Sequence, residues 1–258
     1  MAGGDKEIRV AKPAGACYGV ERALGMVKDD IAQHPKDVCT LGPLIHNPAA
    51  VADLTAAGVR VAQSPQEAAG TTLVLRTHGV TPELEQEARR VCPYVIDATC
   101  PFVKRAHAAA EMLMREGYQV IVVGEAGHPE VEGTLGHAPG ALVIGSADEL
   151  SDIKIARKVG VVVQTTMTSE RLREIVDALI GRSEELRLIN TICEATTSRQ
   201  KAAAALAGEA DVMVVIGGRN SANTGRLSEI CRSRCPHTYH IESQDELQGQ
   251  WFSDADLV

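Results

Sequence analysis

Residues 100–124 read CPFVKRAHAAAEMLMREGYQVIVVG: a cysteine, an Ala-rich helical stretch, then an apolar run that stops at a glycine. Two other segments repeat this pattern, residues 17–42 (CYGVERALGMVKDDIAQHPKDVCTLG) and residues 193–217 (CEATTSRQKAAAALAGEADVMVVIG). The closing glycines Gly42, Gly124 and Gly217 fall 25, 24 and 24 positions after Cys17, Cys100 and Cys193, and Arg22, Arg105 or Arg199 follows each cysteine by five or six. Each cysteine sits where a strand or loop hands over to a helix. Short buried strands alternating with helices indicate parallel sheets built from βαβ units with right-handed connections. The fold class is therefore α/β, in three similar modules.

Four positions beyond each glycine stands a polar landmark: His46 in GPLIHNP, His128 in GEAGHPEVEG and Ser221 in GGRNSAN. A further landmark ends the next apolar run in two copies, as Thr77-His78-Gly79 and as Gln164-Thr165-Thr166, and has no counterpart before Val258. The modules are read as 8–98, 99–191 and 192–258, the third incomplete at its C-terminal end. No Pro/Gly/Ser-rich linker separates them, so close packing is expected. Ligands in parallel sheets bind beyond the carboxyl ends of strands, and three modules meeting by those ends in pseudo-threefold fashion would aim every landmark at one central cavity.

Composition sets the outer limits. A chain of 258 residues, 45% hydrophobic but only 3% aromatic, fills its core with Ala, Val, Leu and Ile, the usual content of parallel strands between helices. A formal charge of −8 with scattered basic residues excludes a nucleic-acid surface. No signal pattern opens the chain and no apolar run approaches membrane-spanning length, so a soluble, cytoplasmic protein without a membrane partner is expected. Seven cysteines fit reduced thiols, some of them metal ligands, better than a secreted disulfide framework.

Three thiolates arriving from separate modules would hold a 4Fe-4S cluster by three irons and leave the fourth open as a Lewis acid, whereas an electron-transfer cluster takes four cysteines. Cys39 and Cys92 read as small buried hydrophobes. Cys231 and Cys235 could share a metal, with His237 the one close partner, but the tetrahedral set is incomplete. His46, His78 and His128 sit in glycine-flanked loops where imidazole N–H groups can donate to phosphate oxygens. Ser221 and Asn223 precede a helical stretch and make an anion site with its free N–H groups. Glu130, two residues after His128, is the candidate general acid, and Glu132 better suits a first-turn dipole role. The His128/Glu130 pair lacks the HExxH spacing of a zinc hydrolase. His34, His107, His137, His237 and His240 read as ordinary surface or packing residues.

In order along the chain, AGACYGVERA, GPLIHNP, RTHGV, DATCPFV, GHPEVEGTLG, QTTMT, TICEATTSRQ and GGRNSANTGRL resemble the signature segments of the 4-hydroxy-3-methylbut-2-enyl diphosphate reductase family. The resemblance implies three α/β modules around a 4Fe-4S cluster bound by Cys17, Cys100 and Cys193. It implies diphosphate contacts from His46, His78, His128, Ser221 and Asn223, with Thr165 and Glu130 near the substrate hydroxyl, where Glu130, through Thr165 or His128, would protonate the departing oxygen. It further implies reductive dehydration of a small allylic diphosphate, with ferredoxin or flavodoxin as electron donor. Ala222 stands where the family often has a second serine. A glycine-rich segment with another phosphate-binding serine follows the family's equivalent of Val258, and its loss is expected to weaken binding. The rivals are a non-redox hydro-lyase and a non-catalytic relative.

Overall fold

A computed structural model describes residues 6–33 and 38–258; Met1–Asp5 and His34 lie outside them. The chain divides into a larger unit, residues 16–45 and 49–192, and a smaller one, residues 1–15, 46–48 and 193–258.

The larger unit holds two sheets of one topology. The first comprises α1 (Tyr18–Gln33), β1 (Val38–Leu41), α2 (Pro48–Ala56), β2 (Arg60–Ala62), β3 (Thr72–Leu75), α3 (Pro82–Val91) and β4 (Tyr94–Asp97). Its strands are parallel in the order β2-β1-β3-β4. The second comprises α4 (Pro101–Arg115), β5 (Gln119–Val123), α5 (Pro129–His137), β6 (Leu142–Ile144), β7 (Lys158–Val163), α6 (Ser169–Leu179) and β8 (Glu185–Leu188). Again all strands are parallel, in the order β6-β5-β7-β8. The sequence repeat is thus a repeat of topology.

Burial follows position in the sheet. Every residue of β1 and β3 is buried, and so is β7 after Lys158, because central parallel strands are covered on both faces. β8 (ELRL), at an edge, is mostly exposed. Gly160 lets α4 pack closely on β7, since a Cβ there would lie 2.8 Å from Leu113 Cδ1 and displace that side chain. Helix starts follow local chemistry: Thr81 caps α3 ahead of Pro82, and Thr168 caps α6 through the Arg171 N–H.

The smaller unit contains α7 (Glu194–Ala207), β9 (Met213–Ile216), α8 (Ala222–Arg232) and β10 (Thr238–Ile241). β9 and β10 pair in parallel, from Met213 with Thr238 to Ile216 with Ile241. Its core joins Ala203, Ala207, Met213 and Val215 to Cys231 and Cys235. Residues 7–9 belong here because their partners do: Glu7 N–H donates to Asp256 O (2.8 Å), Arg9 N–H to Val258 O (2.8 Å), and Val258 N–H to Glu7 O (2.9 Å). The Lys6 ammonium reaches Ala255 O at 2.8 Å. Among the described residues no helix is long and apolar enough to cross a membrane.

Candidate active site

In the larger unit the landmarks stand at the carboxyl ends of paired strands. β5 and β7 run in register to Val123 and Val163, so Gly124 and Gln164 emerge side by side. Gly124 is closely packed: a Cβ would sit 2.7 Å from Val131 Cγ2 of α5 and 2.9 Å from Gln164 Oε1, and would push on both side chains. The chain then turns at Gly127 (φ 78°) into His128, the N-cap of α5, with Pro129 at the first helical position. His128 Nδ1 accepts the Glu130 N–H at 3.1 Å. That bond places the ring proton on Nε2, the nitrogen able to donate to an anion.

Glu130 is 2% exposed. Its Oε1 accepts the Thr165 N–H at 2.6 Å, and its Oε2 lies 2.8 Å from the Thr165 hydroxyl. Burial pushes this carboxyl up to about 7, against the lowering effect of the two Thr165 hydrogen bonds. The His78 and His128 rings meet edge to face, centroids 5.6 Å apart. The structure thus brings His78, His128, Glu130 and Thr165 into one group of the larger unit. Sequence reasoning placed Gln164 in a landmark but gave it no role; it is 2% exposed, accepts the Glu125 N–H (2.9 Å) and donates to the Thr166 hydroxyl (3.0 Å). Its signal was its place directly before Thr165 in QTTMT.

Cys17 and Cys100 also belong to this unit, each directly before a helix. A Cβ on Gly19 would lie 2.6 Å from Cys100 Sγ and 3.9 Å from Cys17 Sγ, so the glycine leaves space beside both thiols. The loop to Cys100 is fixed from three sides. Asp97 Oδ1 accepts the Thr99 N–H (2.9 Å), Arg22 donates to Thr99 O (3.3 Å), and Cys100 N–H donates to Thr77 O (3.0 Å). Asn190 repeats the Asp97 turn before the third cysteine, accepting the Ile192 N–H at 3.1 Å.

In the smaller unit Cys193 caps α7, its Sγ accepting the Thr196 N–H at 3.3 Å and lying 3.0 Å from the Thr196 hydroxyl. Ser221 caps α8 in the same manner, its Oγ accepting the Thr224 N–H at 3.3 Å. That leaves the Ser221 O–H as a donor beside the positive end of the helix, where Asn223 also sits. His46 joins this unit because its backbone lies against Gly218: a Cβ there would be 2.5 Å from His46 O. Rigid backbone cannot yield as a side chain can. Gly218→Ala is therefore expected to cost roughly 1–3 kcal/mol of stability. A lowered melting temperature is the measurement that checks it.

The remaining thiols are packing groups. Cys39, Cys92, Cys231 and Cys235 are buried, whereas Cys17, Cys100 and Cys193 are only partly so. Burial, with Cys235 next, pushes the Cys231 thiol up to about 11. His237 is exposed, and among the described residues it forms no metal-ligand group with that pair.

A sequence model of the LytB protein family matches residues 8–258. The chain is 46% identical over 254 residues to 4-hydroxy-3-methylbut-2-enyl diphosphate reductase of Geobacter sulfurreducens, covering 98% of this chain and 89% of that one. It is 43% identical over 256 residues to the same enzyme of Aquifex aeolicus, with the same coverage. Among solved structures it resembles an (E)-4-hydroxy-3-methyl-but-2-enyl diphosphate reductase described as the terminal enzyme of the non-mevalonate pathway. That match has a TM-score of 0.70 and 41% identity, over 98% of this chain and 91% of the other. The Plasmodium falciparum reductase superposes with a TM-score of 0.93 at 25% identity, over 98% and 82%.

Proposed function

Since the chain belongs to the LytB protein family, we propose that it acts as a 4-hydroxy-3-methylbut-2-enyl diphosphate reductase. The reaction is reductive dehydration to isopentenyl and dimethylallyl diphosphates, the last step of the non-mevalonate isoprenoid pathway. The allylic C–O bond breaks, the hydroxyl takes one proton and leaves as water, and the carbon fragment takes two electrons and the second proton. The observation that carries this reading is the buried Glu130–Thr165 pair.

Below about pH 7 Glu130 holds its proton. The carboxyl O–H then donates to Thr165 Oγ1, which frees the threonine hydroxyl to pass its own proton to the departing oxygen. His78 and His128 serve as imidazole N–H donors to the diphosphate, as does His46. Ser221 and Asn223 add small polar donors at the start of α8.

Cys17, Cys100 and Cys193 are the ligands we assign to a 4Fe-4S cluster. They suit it because they are the partly exposed thiols, each next to a helix start, and Gly19 keeps room beside two of them. When bound, such a cluster supplies electrons one at a time and one iron with an open position. Ferredoxin or flavodoxin is the electron source we infer, as the sequence carries no nucleotide fingerprint.

Anaerobic incubation with a chemical reductant and the hydroxylated diphosphate tests the function. Both five-carbon diphosphates should form, and only with reductant; products without it, or none with it, overturn the reading. A pH profile tests the acid. Turnover should fall about tenfold per unit above pH 7, because the acid is lost as pH rises through its raised value. Folding stability follows the same sign. The native carboxyl retains between about 4.5 and 7 a proton that the unfolded chain releases, so stability declines across that window. A flat rate from pH 6 to 9 would remove Glu130 as the acid.

A further inference from the structure

We propose that His107 is a positioning residue, a buried ring that fixes the spacing between the turn carrying His78 and the helix that begins at His128. The proposal rests on the reading of those two histidines as diphosphate donors. His107 lies on α4, seven residues after Cys100, and is 6% exposed. Backbone closes on it from two sides. Gly79, directly after His78, has φ +74°, and a Cβ there would be 2.5 Å from His107 Cε1 and 3.2 Å from Nε2. Gly133, within α5, would place a Cβ 3.1 Å from His107 Nε2, 3.4 Å from Cε1 and 3.5 Å from His78 O. On a third side His137, the last residue of α5, stacks on the ring at 4.4 Å and 24°.

One five-membered ring therefore fills the space between the residue after His78 and the helix capped by His128, while one turn further along that helix Gly136 meets Thr81 directly, where a Cβ would lie 2.5 Å from Thr81 Cβ. Gly79 and Gly133 reach the ring only because they lack side chains. A shorter residue would let the turn and helix close together, and a six-membered ring would force them apart. The ring stays uncharged in this place, since burial, with His137 next, pushes it down to about 4. Its Nε2 has no hydrogen-bond partner among the described residues, so shape and not a polar bond explains its fit. Glu130 is held separately, by Thr165 at the end of β7. Loss of the spacer should therefore disturb the histidine pair more than the acid.

The test is a two-residue cycle in the full chain: His107→Ala, Gly133→Ala and both together. Each is assayed for KM, kcat, melting temperature and affinity for inorganic diphosphate. His107→Ala should raise KM and the diphosphate Kd about tenfold, the worth of one weakened charge-assisted hydrogen bond, with kcat within about twofold. Gly133→Ala, which crowds the ring in place, should raise both as well. Should His107→Ala fail to fold, this variant carries the test. In the double variant the new methyl group occupies part of the vacated space, so its KM should fall below that of His107→Ala. A lowered melting temperature with unchanged KM and Kd in both single variants would make His107 a plain core residue and overturn the proposal. If the unaltered chain gave no turnover of the allylic diphosphate, the proposed function would fail, while the inorganic diphosphate affinities would still decide the role of His107.

Discussion

Glu130→Gln should lower turnover by roughly 10²–10⁴-fold, the usual contribution of a positioned general acid, with affinity for the diphosphate nearly unchanged. The substitution is close to isosteric. The amide oxygen still accepts the Thr165 N–H now bound at 2.6 Å, and the amide NH2 can donate to Thr165 Oγ1, now 2.8 Å from Oε2. The two loops stay joined, so what disappears is the transferable proton. Because a buried amide need not choose between charged and neutral forms, the residual rate should also lose the alkaline fall near pH 7. Single-turnover measurements with a chemical reductant separate this step from product release, and wild-type turnover in the variant would refute the acid role.

The second large effect is expected at the thiols. Cys17→Ser, Cys100→Ser and Cys193→Ser should each lose most of the iron-sulfur absorbance after anaerobic reconstitution, and turnover with it. Altering groups that merely support a ligand costs 10–100-fold in metal affinity as a rule, and removing a ligand costs more. Cys39→Ser is the control, since that thiol is fully buried in an apolar cluster and should cost stability alone. Gly19→Ala separates geometry from chemistry. In the absence of a cluster the Cys100 sulfur can swing away from a Cβ placed 2.6 Å from it, so the chain should fold. A sulfur committed to iron cannot swing, and cluster content per chain should drop. Full absorbance in Cys100→Ser combined with its loss in Cys39→Ser would reverse the assignment.

Two of the strands that carry the landmarks, β1 and β5, could be read from sequence because they lie inside their sheets and are buried on both faces, whereas β9, in a two-stranded sheet and partly exposed, is marked by its apolar composition alone. VCTL, QVIVV and MVVI stop one residue before Gly42, Gly124 and Gly217, where the apolar runs had marked them. The edge strands were harder. ELRL alternates with charge and is mostly exposed, and YVID is only half-buried, so the apolar stretches before Cys100 and Cys193 were short and gave weaker signals for β4 and β8. Glu130 stood out by its place after His128, yet its buried partner Thr165 lies 35 residues away and only the folded strand pair reveals the bond. Gln164 and His107 act through backbone and through glycines on other elements, which one-dimensional pattern cannot expose. The grouping of residues 46–48 with residues 193–258, where Gly218 closes on the His46 backbone and on Pro48, joins segments too far apart in the chain for a local pattern to reveal.

The pairing of residues 7–9 with residues 256–258 bears on the order of events at the ribosome. The Lys6 ammonium and the Ala255 carbonyl are separated by 249 residues. At 5–20 residues per second, an N-terminal segment waits on the order of 12–50 s for its partners to be synthesised. Nearly all of the larger unit, with both four-stranded sheets, Cys17 and Cys100, emerges as continuous chain during that wait. The smaller unit closes last, so Cys193 is secured only after residues 256–258 have been made, and a chain that stops short of them would carry two cysteine positions set in folded structure and a third in a unit still missing its partners for residues 7–9.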